Sequence, residues 1–218
     1  MSKTVVIGLC GRSGTGKGYV AGKFLAYGIP SVDTDAVYRG MTAPADHLSP
    51  CMKELVIAFG SNIALPDCSL NRRALSETVF AKGNREALAT LNRITHKHIL
   101  KETRRIIDRY RNDGTTAVIV DAPLLFESGF DAYCDCTVCV TAPTAVSVQR
   151  IIARDGITED AAHQRLRTQI DQEELIRRCD YQIKNGLNEK TLDEQVEAVV
   201  HDILSRFHGS EEQLDIEL

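Results

Sequence analysis

The stretch Gly8-Leu9-Cys10-Gly11-Arg12-Ser13-Gly14-Thr15-Gly16-Lys17 decides the fold. It reads G-x-x-x-x-G-K from Gly11 to Lys17, the pattern of a phosphate-binding loop. Val5, Val6, Ile7 and Leu9 predict a buried strand ahead of it. The glycines let the backbone curl so that successive N–H groups face phosphate oxygens, and Lys17 adds a mobile cation. Val20, Phe24 and Leu25 then fall at helical spacing, so strand, loop and helix come in the order the motif needs. One position departs: Gly18 stands where the motif normally carries a Ser or Thr whose hydroxyl binds magnesium.

Working outward, Gly28 ends the first helix, and Ile29-Pro30-Ser31-Val32 predicts a short strand that delivers Asp33-Thr34-Asp35 at its carboxyl end. In open parallel sheets ligands lie outside the carboxyl ends of the strands, which makes these carboxylates candidates for chemistry. The alternative is that Asp33 or Thr34 N-caps a helix beginning near Ala36. Thr116 to Val120 is a further apolar strand and runs into Asp121-Ala122-Pro123, the Walker-B arrangement in which a carboxylate works on magnesium or its water shell. Cys136 to Val140 and Tyr181-Gln182-Ile183 complete the strand set. Alternating with helices, these segments predict an α/β fold with a parallel five-stranded sheet flanked by helices.

Between the second and third strands, residues 39–113 carry no convincing strand and read as a helical insertion. Helices are expected over Cys51 to Phe59, Asn71 to Phe80, Asn84 to Leu91 and Ile94 to Tyr110, with Pro44, Pro50 and Pro66 as breaks. Most of the Arg and Lys between Arg72 and Arg111 make a solvated face, yet their density suits a phosphorylated substrate. After the fourth strand, the helix Thr144 to Asp155 puts Arg150 and Arg154 on one face, Thr158 N-caps another helix, and Arg165, Arg167 and Gln169 follow. A basic helical hairpin in that place is where nucleotide kinases keep a mobile lid. The expected division is a core of 1–38, 114–142 and 180–207, an insertion of 39–113, a lid of 143–179 and a frayed tail of 208–218. Leu192 to Phe207 closes the core as an amphipathic helix.

Composition narrows the function classes. With a formal net charge of -4 in 218 residues there is no global basic field, which argues against a nucleic-acid binder. No apolar run approaches the roughly 20 residues of a membrane span, and the N-terminus leads straight into the first strand without a signal peptide; the expectation is a soluble, cytoplasmic protein, a monomer or weak homo-oligomer, with small-molecule ligands. Seven cysteines argue against a disulfide framework. Cys134-x-Cys136-x-x-Cys139 resembles a metal-ligand spacing, but Cys136 and Cys139 in a strand face opposite sides, so packing is the expected role.

Several landmarks in fixed order go further. The glycine-rich loop, Asp33-Thr34-Asp35, Asn71-Arg72-Arg73-Ala74-Leu75 with Phe80, Ile94-Thr95-His96, Asp121-x-Pro123-Leu124-Leu125-Phe126-Glu127, Gln149-x4-Arg154-Asp155, Arg165-x3-Gln169 and Asp180-Tyr181-x-Ile183-x-Asn185 together resemble the dephospho-coenzyme A kinase family over nearly the whole chain. The resemblance implies a P-loop kinase with a helical substrate-binding insertion and a helical lid. It also implies transfer of the γ-phosphoryl of ATP to the ribose 3′-hydroxyl of dephospho-coenzyme A, the last step of coenzyme A synthesis. ATP would lie on Gly11, Arg12, Ser13, Gly14, Thr15, Gly16, Lys17, Gly18 and Tyr19, with Lys17 and the loop N–H groups on the β- and γ-phosphates. Asp33 would accept or orient the proton of the attacking hydroxyl. Asp35 and Asp121 would organise Mg2+ through its waters, and Arg150 and Arg154 would close over the phosphates. His96, Pro123 and Leu124, with Asp33 and Asp35, would meet the coenzyme A portion. The chain departs from the family pattern at Gly18, at Arg12 in place of a loop Gly, at Lys97 in place of Pro, and at Leu175 in place of a Lys. Adenylate kinases, whose loop also ends Gly-Lys-Gly, work with Gly after the Lys. Two other readings stay open: a nucleoside or nucleotide kinase of the same fold, and a non-catalytic nucleotide-binding module.

Overall fold

Val5–Cys10 forms β1, buried at all six positions, as an apolar run without alternation requires of a central strand covered on both faces. The computed structural model describes residues 3–81, 84–186 and 188–209; the far end of the expected tail lies outside them. The remaining strands are β2 (Ser31–Asp33), β3 (Ala117–Asp121), β4 (Cys136–Thr141) and β5 (Tyr181–Lys184), and the sheet order is β2-β3-β1-β4-β5. β1 pairs in parallel with β3 on one side and with β4 on the other, and β4 pairs in parallel with β5. The chain therefore leaves β1 toward one edge and later crosses to the other, which places the topological switch point at the carboxyl end of β1. The phosphate loop begins there.

The chain divides into two units, Met1–Val32 with Ile107–Leu218, and Asp33–Ile106. The first holds the sheet and a core that includes Ile7, Leu9, Phe24, Ile119, Val138, Ile183 and Ile203, each almost fully buried. Its helices are α1 (Lys17–Phe24), α6 (Thr144–Asp155), α7 (Glu159–Arg167), α8 (Gln172–Arg178) and α9 (Glu189–His208). Val196, Val199, Val200, Ile203 and Leu204 supply the apolar stripe of α9. The second unit has its own core, built from Cys51, Met52 and Leu55 on α3 (Pro50–Phe59), Ile63 in the short 3-10 turn after it, Leu75 and Val79 on α4 (Arg72–Val79) and Ile94 on α5 (Arg85–Asn112), and it begins with α2 (Thr34–Met41).

Four local features differ from the sequence reading. The two helices expected at Asn84 to Leu91 and Ile94 to Tyr110 are one, the 28-residue α5, because nothing between them breaks the backbone and the Thr95 hydroxyl bonds back to the carbonyls of Leu91 (2.9 Å) and Asn92 (3.2 Å). Pro50 starts a helix rather than breaking one: it occupies the first turn of α3 behind the N-cap Ser49, where its missing N–H costs nothing. β2 starts at Ser31, after Pro30, whose carbonyl accepts from Ile119 N–H at 2.8 Å. α8, capped by Asp171, was not foreseen. Among the described residues, no helix is long and apolar enough to cross a membrane.

Candidate active site

Within the loop, Gly14 (φ 78°) and Gly16 (φ 80°) take left-handed backbone, and both are closely packed. A Cβ on Gly14 would lie 2.3 Å from the Ser147 carbonyl oxygen of α6, and one on Gly16 would lie 2.2 Å from Asn185 Nδ2. The loop is held from behind by its carbonyls. Arg150 Nη1 donates to the carbonyls of Gly14 (3.4 Å), Thr15 (3.3 Å) and Asn185 (3.1 Å), and Asn185 Nδ2 donates to Thr15 at 2.8 Å. The peptide plane that ties back the Thr15 carbonyl turns the Gly16 N–H the opposite way. Gly16 is also the N-cap of α1 and offers no side chain to its first turn, so the start of that helix is left to an anion. Sequence reading gave Arg150 to the phosphates; the structure places its Nη1 on loop carbonyls. Asn185 entered the sequence reading as a family landmark with no role on the loop.

Lys17, at the start of α1, forms an ion pair with Asp121, the last residue of β3, and both side chains are nearly buried. The strand register brings them together, since Asp121 is the Cα partner of Leu9 on β1. Beyond β3, Pro123 is half-buried and Leu124 exposed in a turn anchored by the fully buried Leu125, and the Arg178 guanidinium stacks 4.1 Å from the Phe126 ring centre. Tyr19, on α1, sends its hydroxyl to Glu189 of α9 rather than toward the loop.

The helices that follow β4 contact the loop directly. Arg154 Nε donates to Asp155 Oδ1 at 2.8 Å, and its Nη2 reaches Asp155 Oδ2 at 3.0 Å and the Ser13 hydroxyl at 3.4 Å. Arg165 from α7 pairs with the same carboxylate. The two guanidinium groups, Arg154 foremost, hold the Asp155 carboxyl well below the usual carboxylate range. Arg12, one of the departures, donates to the Leu166 carbonyl near the end of α7, and the Ser13 N–H bonds Gln169 Oε1 at 3.0 Å. α6 and α7 share a small core of Val148, Ile151, Ala162 and Leu166. Leu175 lies in α8 at 6% exposure as a packing residue, while Arg177 pairs with Glu174 at 2.6 Å. A cavity of about 490 Å3, not foreseen from sequence, opens at the carboxyl ends of β4 and β5, lined by Thr141, Pro143, Gln172, Ile176, Gln182 and Lys184.

In the second unit Asp33 is the N-cap of α2: its Oδ1 accepts from the N–H groups of Asp35 (2.8 Å) and Ala36 (3.1 Å), and its Oδ2 accepts from Arg39 Nη2 at 3.1 Å. Asp35 is exposed in the first turn of α2, and His96 is half-buried on α5. Lys97, where the family carries Pro, continues α5 and pairs with Glu54 of α3 at 2.6 Å. Lys97 first, and His98 after it, draw the Glu54 carboxyl downward.

A family model described as dephospho-CoA kinase matches residues 5–191. A dephospho-CoA kinase of Corynebacterium efficiens is 36% identical over 200 residues, covering 92% of this chain and 98% of that protein. One from Moorella thermoacetica is 37% identical over 182 residues, covering 83% and 84%. Among solved structures, a Thermus thermophilus protein superposes with a TM-score of 0.75 at 27% identity over 92% of this chain and 98% of that one. A Bacteroides thetaiotaomicron shikimate kinase, at 14% identity and TM-score 0.52 over 91% of this chain and 98% of that one, shares the fold. The braced glycine loop, the Lys17–Asp121 pair and the match across most of its length agree: this chain belongs to the dephospho-CoA kinase family.

Proposed function

We propose that this chain is a cytoplasmic enzyme that transfers the γ-phosphoryl of ATP to the ribose 3′-hydroxyl of dephospho-CoA, giving CoA and ADP. The observation that carries the reading is a loop furnished for phosphoryl transfer. Its amides are set by Arg150 and Asn185, its lysine is held by Asp121, and a second cation, Arg154, is aimed by Asp155 at the loop hydroxyl of Ser13. Such transfer asks the protein for positioning and charge neutralisation rather than covalent help. The acceptor oxygen bonds to the γ-phosphorus, the bond to the β–γ bridging oxygen breaks, and the hydroxyl proton passes to Asp33. Two N–H groups and Arg39 hold that carboxylate in one orientation. Lys17 and Arg154 meet the charge on the phosphoryl oxygens. α7 and the turn after it, tied to the loop through Arg12 and Gln169, exclude water so that ATP is not hydrolysed.

The donors present suit magnesium held through its waters. Asp121 offers a hard carboxylate, and a Cβ built on Gly18 meets nothing within 4 Å, so the missing hydroxyl leaves room for hydration. Asp121 would hold the ion, with Asp35 as the candidate from the second unit; when bound it would offset the charge on the transferring phosphoryl group. Pro123, Leu124 and His96 are proposed to meet the coenzyme A portion.

ADP release is the deciding measurement, with ATP, magnesium and dephospho-CoA, against adenosine or AMP as acceptor. Release with dephospho-CoA alone is expected. Release with AMP instead would make the chain a nucleotide kinase, and ATP binding without acceptor-dependent ADP would make it a non-catalytic module.

A further inference from the structure

Three cysteines distant in sequence meet at the switch point of the sheet. Cys10 ends β1, and its Cα partner across the parallel ladder is Cys139 of β4, so both side chains leave the same face. Cys179 follows α8 as its C-cap, one turn of chain before β5. Its sulfur lies 3.4 Å from that of Cys10, and the three sulfurs all lie within 4.8 Å of one another. All are free thiols; Cys10 and Cys139 are buried at 1% and 0% exposure, while Cys179 is half-buried and opens the cluster to the surface. Apolar packing alone does not call for three sulfurs pointing at one centre.

We propose that Cys10, Cys139 and Cys179 form a binding site for a single soft monovalent cation, Cu(I), held by three thiolates. Three sulfurs complete the preferred shell of such an ion, whereas structural zinc takes four protein ligands. Among the described residues no His, Asp or Glu joins the group. Binding replaces thiol protons with the ion and needs no change of oxidation state. Because Cys10 directly precedes Gly11, the ion would tie the base of the phosphate loop to the α8–β5 junction.

The test uses the full chain, reduced and kept anaerobic, titrated with Cu(I) against a chromophoric Cu(I) chelator. One Cu(I) per chain is expected, with affinity at least about 100-fold weaker in Cys179→Ser, which loses one of three ligands, and unchanged in Cys68→Ser. Mass spectrometry after maleimide labelling gives a reading that does not depend on the variant: Cu(I) should protect Cys179 and leave Cys68 labelled as before. Absence of stoichiometric Cu(I), affinity unchanged in Cys179→Ser, full labelling of Cys179 in the loaded protein, or preference for Zn2+ over Cu(I) would each overturn the proposal.

Discussion

Gly14 and Gly18 lie in one loop but differ in what a methyl group would meet. At Gly14 a side chain faces both left-handed backbone, about 1–2 kcal/mol unfavourable, and the α6 backbone at 2.3 Å. Gly14→Ala should therefore weaken binding of a non-hydrolysable ATP analogue at least tenfold by calorimetry. At Gly18, inside the first turn of α1, nothing lies within 4 Å, so Gly18→Ser should fold normally and gain up to roughly 0.5 kcal/mol of thermal stability from the lost glycine entropy. Its kcat should be unchanged or slightly raised. Asp33→Asn keeps an N-cap oxygen but loses the proton acceptor: kcat should fall at least about 100-fold with ATP affinity little altered, and near-normal turnover would remove Asp33 from that role. The identity of these residues was legible from spacing, because a phosphate loop is a local motif. The bracing by Arg150 and Asn185 was not, since the side chains that hold the loop come from 135 and 170 positions away.

At the scale of elements, α6 and α7 are joined to the loop by polar contacts whose pH response can be worked out. The Asp155 carboxyl is held low in the folded state by Arg154 and Arg165, so its ion pairs persist above its ordinary range and are lost only as pH falls through the lower folded value. The carboxyl carbon resonance of Asp155 should stay fixed from pH 7 to pH 4, and Arg165→Ala should bring its titration back toward the ordinary range. Arg12→Ala removes a charge-assisted hydrogen bond to Leu166, and amide exchange across α7 should quicken about tenfold or more, a bond of this kind contributing about 1.5–3 kcal/mol. β1 and β3 were readable because a buried strand writes an apolar run, here closed by Gly11 and Asp121. α5 was read as two helices although no Pro or Gly interrupts the backbone between Leu91 and Ile94.

At the scale of the molecule, two separate cores predict separable losses. Leu55→Ala empties a fully buried position in the second unit and should cost about 2–5 kcal/mol there, while nucleotide-analogue binding, which belongs to the first unit, stays within about twofold when measured below the melting transition. The α/β class and the sheet were legible in the sequence because alternation of strand and helix is itself the pattern of such a fold. The cysteine cluster was not: the sequence draws the eye to Cys134, Cys136 and Cys139, whereas the sheet gathers Cys10, Cys139 and Cys179. The Arg150 and Asn185 clamp also fixes an order in time. The phosphate loop is synthesised well before either of its anchors, and until residue 185 has emerged the Thr15 carbonyl lacks its bond from Asn185, so a nascent chain or a truncation product ending before β5 carries every loop residue and still presents an incompletely braced loop.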